Sequence, residues 1–150
     1  QLPTDILICS AAVADWKLIP KTSSNNKIDT NNKIKKTNKK LFFETEKNPD
    51  ILESISKSNV RPKIVIGFSA ETTNINQNAH SKLMSKNIDL IIANDVSNNK
   101  VFGEDFNKVS LIEKNNYEEL KKQSKKSVAY HLANKINDLL INYNKRGVNA

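Results

Sequence analysis

The stretch from Lys63 to Ala93, KIVIGFSAETTNINQNAHSKLMSKNIDLIIA, decides the fold of this 150-residue chain. Its opening, Lys63-Ile64-Val65-Ile66-Gly67-Phe68, is mostly apolar and short, which reads as a buried strand. A polar helix from Thr73 or Asn74 to Lys86 leads to a second apolar run, Ile88-Asp89-Leu90-Ile91-Ile92-Ala93. Strand, helix and strand in succession predict parallel pairing across a helical crossover. Gly67-Phe68-Ser69-Ala70-Glu71-Thr72 and Ala93-Asn94-Asp95-Val96-Ser97 then fall where strands end. Open α/β sheets hold their ligands there.

Toward the N-terminus, Asp5-Ile6-Leu7-Ile8-Cys9-Ser10 predicts another buried strand, followed by Ala11-Ala12-Val13-Ala14-Asp15-Trp16. Small residues there let other backbone approach closely. Residues 17–40 are polar and aperiodic, and predict a long mobile loop. Leu41 to Thr45 predicts a short strand. Asn48-Pro49-Asp50 is a helix start: Asn as cap, Pro at the first position, an acid in the first turn. Ile51, Leu52 and Ile55 give that helix its apolar stripe, and Arg61-Pro62 ends it. Beyond Ala93, residues 101–107 are turn-rich, and Val109 to Ile112 predicts a strand paired antiparallel. A terminal helix runs from Ser124 or Ser127 to Tyr143, with Val128, Leu132, Ile136, Leu139, Leu140 and Tyr143 on one face. The whole predicts an α/β fold, a mainly parallel sheet flanked by helices.

The composition narrows the function classes. At 16.9 kDa, with 37% hydrophobic residues, the chain has the size of one domain with a core. No apolar run approaches the roughly 18 residues of a membrane span, and residues 1–5 lack a secretory signal pattern. Cys9 is the sole cysteine, so a cytoplasmic protein without membrane partners is the simplest expectation. The net charge of +8 invites a nucleic-acid partner. Against this, Arg61 and Arg146 are the only arginines, and no aromatic-basic RNA motif occurs. Only Gly67, Gly103 and Gly147 are glycines, so the Gly-rich phosphate turn of a self-sufficient nucleotide-binding domain is missing. The chain also begins almost directly on a core strand, and the expectation is that the N-terminal portion of a larger protein is missing.

Lys82 and Lys86 lie one helical turn apart, so their ammonium groups share a face and repel each other. A bound triphosphate would reverse the sign; a solvated basic face explains them equally well. Lys33, with Lys35 and Lys36, sits on the polar loop, where a lysine can fold over an anion as charge develops. A lysine-rich surface loop is the plain alternative. Asp15 can bond ribose hydroxyls or cap a turn. Phe68 can cover a base or join the core. The amides after Asn48 can meet an anion or simply begin a helix. His80 and His131 have no ligand-spaced neighbours, so a protein-bound metal site is not expected. Chemistry here has to come from positioning and electrostatics.

Five motifs in order, AAVADW (11–16), KIKK (33–36), KNPDI (47–51), GFSAET (67–72) and ANDVS (93–97), together with Lys82 and Lys86, resemble the C-terminal domain of bacterial phosphopantothenoylcysteine synthetases. In many bacteria that domain is the second half of a bifunctional coenzyme A biosynthesis flavoprotein. The resemblance implies a Rossmann-like fold, usually a homodimer, and a ligase using CTP with Mg2+. The carboxylate of 4'-phosphopantothenate attacks the α-phosphate of CTP, giving an acyl-cytidylate and pyrophosphate. The cysteine amine then displaces CMP.

Carried over by position, Asp15 matches a nucleotide-contacting acid, and Lys33 the catalytic loop lysine that closes over the reacting phosphate. Pro49, Asp50, Ile51 and Leu52 match the segment lining the nucleotide pocket, and Phe68 the aromatic beside the base. Lys82 and Lys86 match the triphosphate pair, and Ala11 and Ala12 the backbone along which the intermediate passes. The loop before Lys33 is longer than usual and holds a second candidate, Lys27. The family's Gly-rich strand–turn and its SNxSSG-type segment, source of an asparagine used on the intermediate, have no counterpart here. The FMN-binding decarboxylase half has none either, so the fragment is expected to be inactive alone. A dinucleotide-dependent oxidoreductase and a non-catalytic basic module for RNA or phosphorylated partners are the rival readings.

Overall fold

The computed structural model describes residues 2, 4–22, 26–29, 31, 33–35, 40–97 and 104–148. Lys36 and residues 101–103 of the turn-rich stretch lie outside these. The sequence predicts a single domain over 1–150, whereas the chain divides into two compact units, Gln1–Ser10 with Ile51–Ala150, and Ala11–Asp50. The reason is local: residues 11–50 pair with themselves rather than joining the main sheet.

The larger unit is built on a five-stranded sheet, β1 (Ile6–Cys9), β4 (Ile64–Glu71), β5 (Leu90–Asp95), β7 (Val109–Ile112) and β8 (Tyr117–Glu119), in that spatial order. β1, β4 and β5 are parallel; β7 and β8 complete the sheet antiparallel. The predicted mainly parallel sheet with a C-terminal antiparallel hairpin is therefore the observed one. Short β6 (Phe106–Asn107) and β9 (Gln123–Ser124) pair separately, ahead of the terminal helix α3 (Lys125–Val148). Among the described residues no helix is long and apolar enough to cross a membrane.

Alternation along the strands sorts the core into two layers. Ile64, Ile66, Leu90, Ile92, Val109 and Leu111 face α3, which supplies Leu132 with Val128, Ile136, Leu139 and Leu140. Val65, Ile91, Ala93 and Ile112 face the opposite way, toward Ala79 and Leu83 of α2 (Ile75–Lys86) and Leu52 of α1 (Ile51–Ser56). The predicted stripe on the terminal helix is thus the stripe that is used, except that its last member, Tyr143, is exposed. Helix α1 stops at Ser56, well before Arg61-Pro62, and α2 stops at Asn87, which takes a left-handed conformation (φ 52°). Asparagine tolerates that conformation better than most residues.

Gly67 leaves room for α1 and Ile88 to pack tightly against β4. A Cβ there would lie 2.8 Å from Cδ2 of Leu52 and 3.1 Å from Cδ1 of Ile88. Gly67→Ala should lower stability by about 1 kcal/mol through overpacking, read as an earlier urea midpoint with unchanged slope. Unaltered stability would mean that α1 yields freely at Leu52.

In the smaller unit, β2 (Trp16–Lys21) pairs antiparallel with β3 (Phe42–Lys47). This corrects the expected loop over 17–40: its first five residues form a strand. The period-2 alternation of Trp16-Lys17-Leu18 is short, and its partner lies far along the chain, so the local pattern is weak. After β2 the backbone folds back, with Thr22 N–H on the Asn26 carbonyl (2.9 Å) and Ile28 N–H on the Pro20 carbonyl (3.0 Å). One face of the hairpin carries the ion pairs Lys17–Glu46 (3.1 Å) and Lys21–Glu44 (2.6 Å). The Lys21 ammonium, by hydrogen bond and charge, holds the Glu44 carboxyl below its usual range. The other face presents Trp16, Leu18 and Phe43, each more than half exposed.

Candidate functional site

The parallel strands end at Cys9, Glu71 and Asp95, and the last two are register partners across β4 and β5. Glu71 is the first residue that sequence reasoning missed. Its side chain is 11% exposed and takes Lys82 Nζ on Oε1 at 2.6 Å, while Lys82 itself remains 47% exposed. A carboxylate so far out of water needs a partner. Lys82 provides it, and the ammonium keeps donors facing solvent. The helix therefore delivers a cation to the carboxyl end of a parallel strand, fixed by an internal acid. A strand that ends in Glu, with a lysine eleven residues on, was the available signal.

Lys86 occupies the last turn of the same helix. Beneath it the Ser56 hydroxyl, 1% exposed, donates to the Lys86 carbonyl. This joins the end of α1 to the end of α2. Arg61 Nη2 reaches the next carbonyl, that of Asn87, at 3.3 Å, and the Asp89 carboxylate at 2.7 Å. Both carbonyls are among those that a helix C-terminus leaves without intrahelical partners. Sequence reasoning read Arg61 only as part of a helix stop.

Phe68 does not share a face with the two lysines. It lies within β4 rather than after it, and packs with Ile64, Ile66 and the α3 layer. Lys82 and Lys86 belong to α2 on the opposite face. The faces differ because Phe68 sits at an even position of a strand whose odd positions look toward α2. A ligand touching both has to straddle the carboxyl end of β4, where pairing with β1 stops at Cys9–Gly67. Ile51 and Leu52 start α1, and Leu52 is the side chain against Gly67.

In the smaller unit, Asp15 and the segment before α1 come together. Asn48 N–H donates to the Asp15 carbonyl (2.9 Å) and Asn48 Nδ2 to the Ala14 carbonyl (2.8 Å). Asn48 therefore clamps the open end of the hairpin rather than capping a helix that begins at Asn48. Asp15, Pro49 and Asp50 are held near one another by that clamp, with Ala11 and Ala12 leading into it, both exposed. Lys33 is exposed and makes no ion pair among the described residues. Lys27 bridges to Lys21 and adds its charge to the field on Glu44.

These features define an open, Rossmann-like α/β domain with charged side chains gathered where parallel strands end. The chain belongs to the family described as the DNA/pantothenate metabolism flavoprotein C-terminal domain, whose model matches residues 1–140. It is 44% identical over 126 residues to the coenzyme A biosynthesis bifunctional protein CoaBC of Borreliella burgdorferi, covering 83% of this chain and 30% of that protein. Against CoaBC of Haemophilus influenzae the identity is 37% over 131 residues, covering 87% and 31%. The crystal structure of a CoaBC C-terminal domain superposes with a TM-score of 0.65 at 30% identity, over 92% of this chain and 56% of that one. The chain thus spans somewhat less than a third of the curated relatives it matches.

Proposed function

We propose that the chain is the ligase domain of a coenzyme A biosynthesis enzyme, joining 4'-phosphopantothenate to cysteine with CTP. The observation that carries this is the Lys82 ammonium, fixed by Glu71 at the carboxyl end of β4 with donors left over. Catalysis would be positioning and charge neutralisation. The pantothenate carboxylate attacks the α-phosphate, and the bond to pyrophosphate breaks. The cysteine amine then attacks the acyl carbon, CMP leaves, and an amide forms.

Lys82 and Lys86 would bind the triphosphate, with Pro49, Asp50, Ile51, Leu52, Phe68 and Asp15 about the nucleoside. Lys33 would neutralise charge at the reacting phosphate. Mg2+ would accompany the triphosphate and supply charge neutralisation there, as is usual for that ion; among the described residues no group of three or more His, Cys, Asp and Glu is arranged as a cage. FMN belongs to the decarboxylase half of a bifunctional parent. A homodimer is part of the same proposal, supported by the exposed Trp16, Leu18 and Phe43 face, since an isolated two-stranded sheet is at best marginally stable.

Titration calorimetry with CTP, ATP, NADH and a short RNA tests the reading. CTP should bind in preference to the others. Lys82→Ala and Lys86→Ala should each weaken it about tenfold or more, the value of one charge-assisted hydrogen bond of roughly 1.5–3 kcal/mol. Preference for NADH would favour an oxidoreductase. RNA binding with a steep salt slope would favour a basic module.

A further inference from the structure

Glu71 ends β4 and puts a negative charge among the groups read as holding polyphosphate. Its side chain is 11% exposed, and Oε1 takes Lys82 Nζ at 2.6 Å. Oε2 is approached by Asn78 Nδ2 at 3.5 Å, too long for a strong bond. That amide gives its shorter bond, 2.9 Å, to the Thr73 carbonyl. The Glu71 carbonyl accepts Val96 N–H at 3.0 Å, which fixes the backbone to the loop after β5. Backbone and side chain are therefore both held, and the charge stays at the strand end.

Such an acid can act in two ways. As a pin, it ties α2 to β4 through Lys82. As a charge, it cancels the ammonium it holds, so an incoming anion meets a neutral pair with spare donors rather than a lone cation. The pin does not require the charge, because a glutamine amide oxygen accepts the same hydrogen bond. A carboxylate this far out of water also costs more to bury than an amide. What the charge adds is repulsion of phosphate.

The geometry points to Glu71 as a counter-charge that limits how tightly this strand end holds polyphosphate, so that pyrophosphate leaves once it has formed. This rests on the ligase reading and adds to it a positioning residue that acts through Lys82. CTP keeps its nucleoside contacts and tolerates the repulsion, whereas pyrophosphate has only its charges. Holding substrate and product equally tightly does not raise turnover, and product release sets the rate of many enzymes.

The test is calorimetry of the full 150-residue chain with inorganic pyrophosphate and with CTP, each in the presence of Mg2+. Glu71→Gln keeps the acceptor and removes the charge. It should bind pyrophosphate about three- to tenfold more tightly, and the gain should shrink at about 0.5 M salt. Glu71→Asp keeps the charge and should stay within about twofold of the unaltered chain. Lys82→Ala strands the carboxylate and weakens binding; adding Glu71→Gln to it should recover about threefold or more. That double variant buries no charge at this spot, so it reads the same repulsion if Glu71→Gln folds poorly. A pin alone gives the opposite sign: Glu71→Gln loosens Lys82 and weakens both ligands, and the second substitution recovers nothing. Either of those results, or unaltered pyrophosphate affinity in Glu71→Gln, overturns the counter-charge. An unaltered chain that binds neither CTP nor pyrophosphate sinks the ligase reading and this inference together. One that binds both, with Glu71→Gln weaker for pyrophosphate, sinks this inference alone.

Discussion

In a full-length bifunctional enzyme carrying this domain, Lys33→Ala should cut turnover on the order of 10²–10³-fold while CTP affinity changes less than about threefold. Several lysines of the smaller unit are already committed. Lys17 is paired with Glu46, Lys21 with Glu44, and Lys47 lies 5.9 Å from the centre of the Trp16 ring. The Lys27 backbone forms a β-bridge with Lys21, and the Lys27 charge adds to the field on Glu44. Lys33 is exposed and forms no ion pair among the described residues, so moving it toward a substrate breaks none of these pairs. A group that meets its partner only as charge develops contributes to the transition state and little to ground-state binding. Pre-steady-state release of pyrophosphate from CTP is the appropriate reading, because it isolates the first step. Lys27→Ala serves as the comparison and should leave turnover within a few-fold. A Lys33→Ala enzyme that loses CTP affinity as much as turnover would make this lysine a holder of ground-state substrate. A large loss in Lys27→Ala alone would move the role to that residue.

What the sequence revealed and what it hid follow from the range of the interactions involved. Ile64-Val65-Ile66 and Leu90-Ile91-Ile92 are buried on both faces, and such strands are continuous apolar runs that need no partner to be recognised. Strand β7 and the stripe on α3 were legible for the same reason: hydrophobic period is a local property. The β2–β3 hairpin was not. Half of its face is Lys and Glu in cross-strand pairs, and its register, Trp16 against Lys47, joins residues far apart in sequence. The same distinction runs through the candidate site. Lys82 and Lys86 were visible because one helical turn separates them. Glu71, eleven residues before Lys82 on another element, is tied to it only because the helix lies across the strand. Phe68 shows the reverse case. Its motif says that an aromatic is there, but only strand parity decides which face it serves, and parity places it with α3.

Asp89→Ala should cost about 2–3 kcal/mol of stability, although the sequence offers Asp89 as one polar residue interrupting an apolar run. Its Oδ2 accepts Arg61 Nη2 and the Val65 N–H, each at 2.7 Å, and its own N–H donates to the Val65 carbonyl at 2.9 Å. Arg61 in turn donates from Nη1 to the Pro62 carbonyl (2.8 Å) and the Lys63 carbonyl (3.2 Å). Removing the carboxylate leaves the amide of Val65, a residue with 0% exposure, without an acceptor. It also leaves a guanidinium, 24% exposed and with a buried Nε already unpaired, without its counter-charge. Breaking a fully buried pair costs roughly 3–5 kcal/mol; side chains a quarter to a third exposed recover part of that through solvent. The urea midpoint should therefore fall by about 1–2 M. Arg61→Lys keeps the charge but loses the fork, and should cost less than half as much. Because Arg61 also holds the Asn87 carbonyl, one residue beyond Lys86, the Asp89 variant should weaken CTP binding several-fold at temperatures where it is still folded. A stability loss under about 0.5 kcal/mol would reduce this cluster to an ordinary surface ion pair. A full stability loss with intact CTP affinity would separate the end of α2 from the nucleotide.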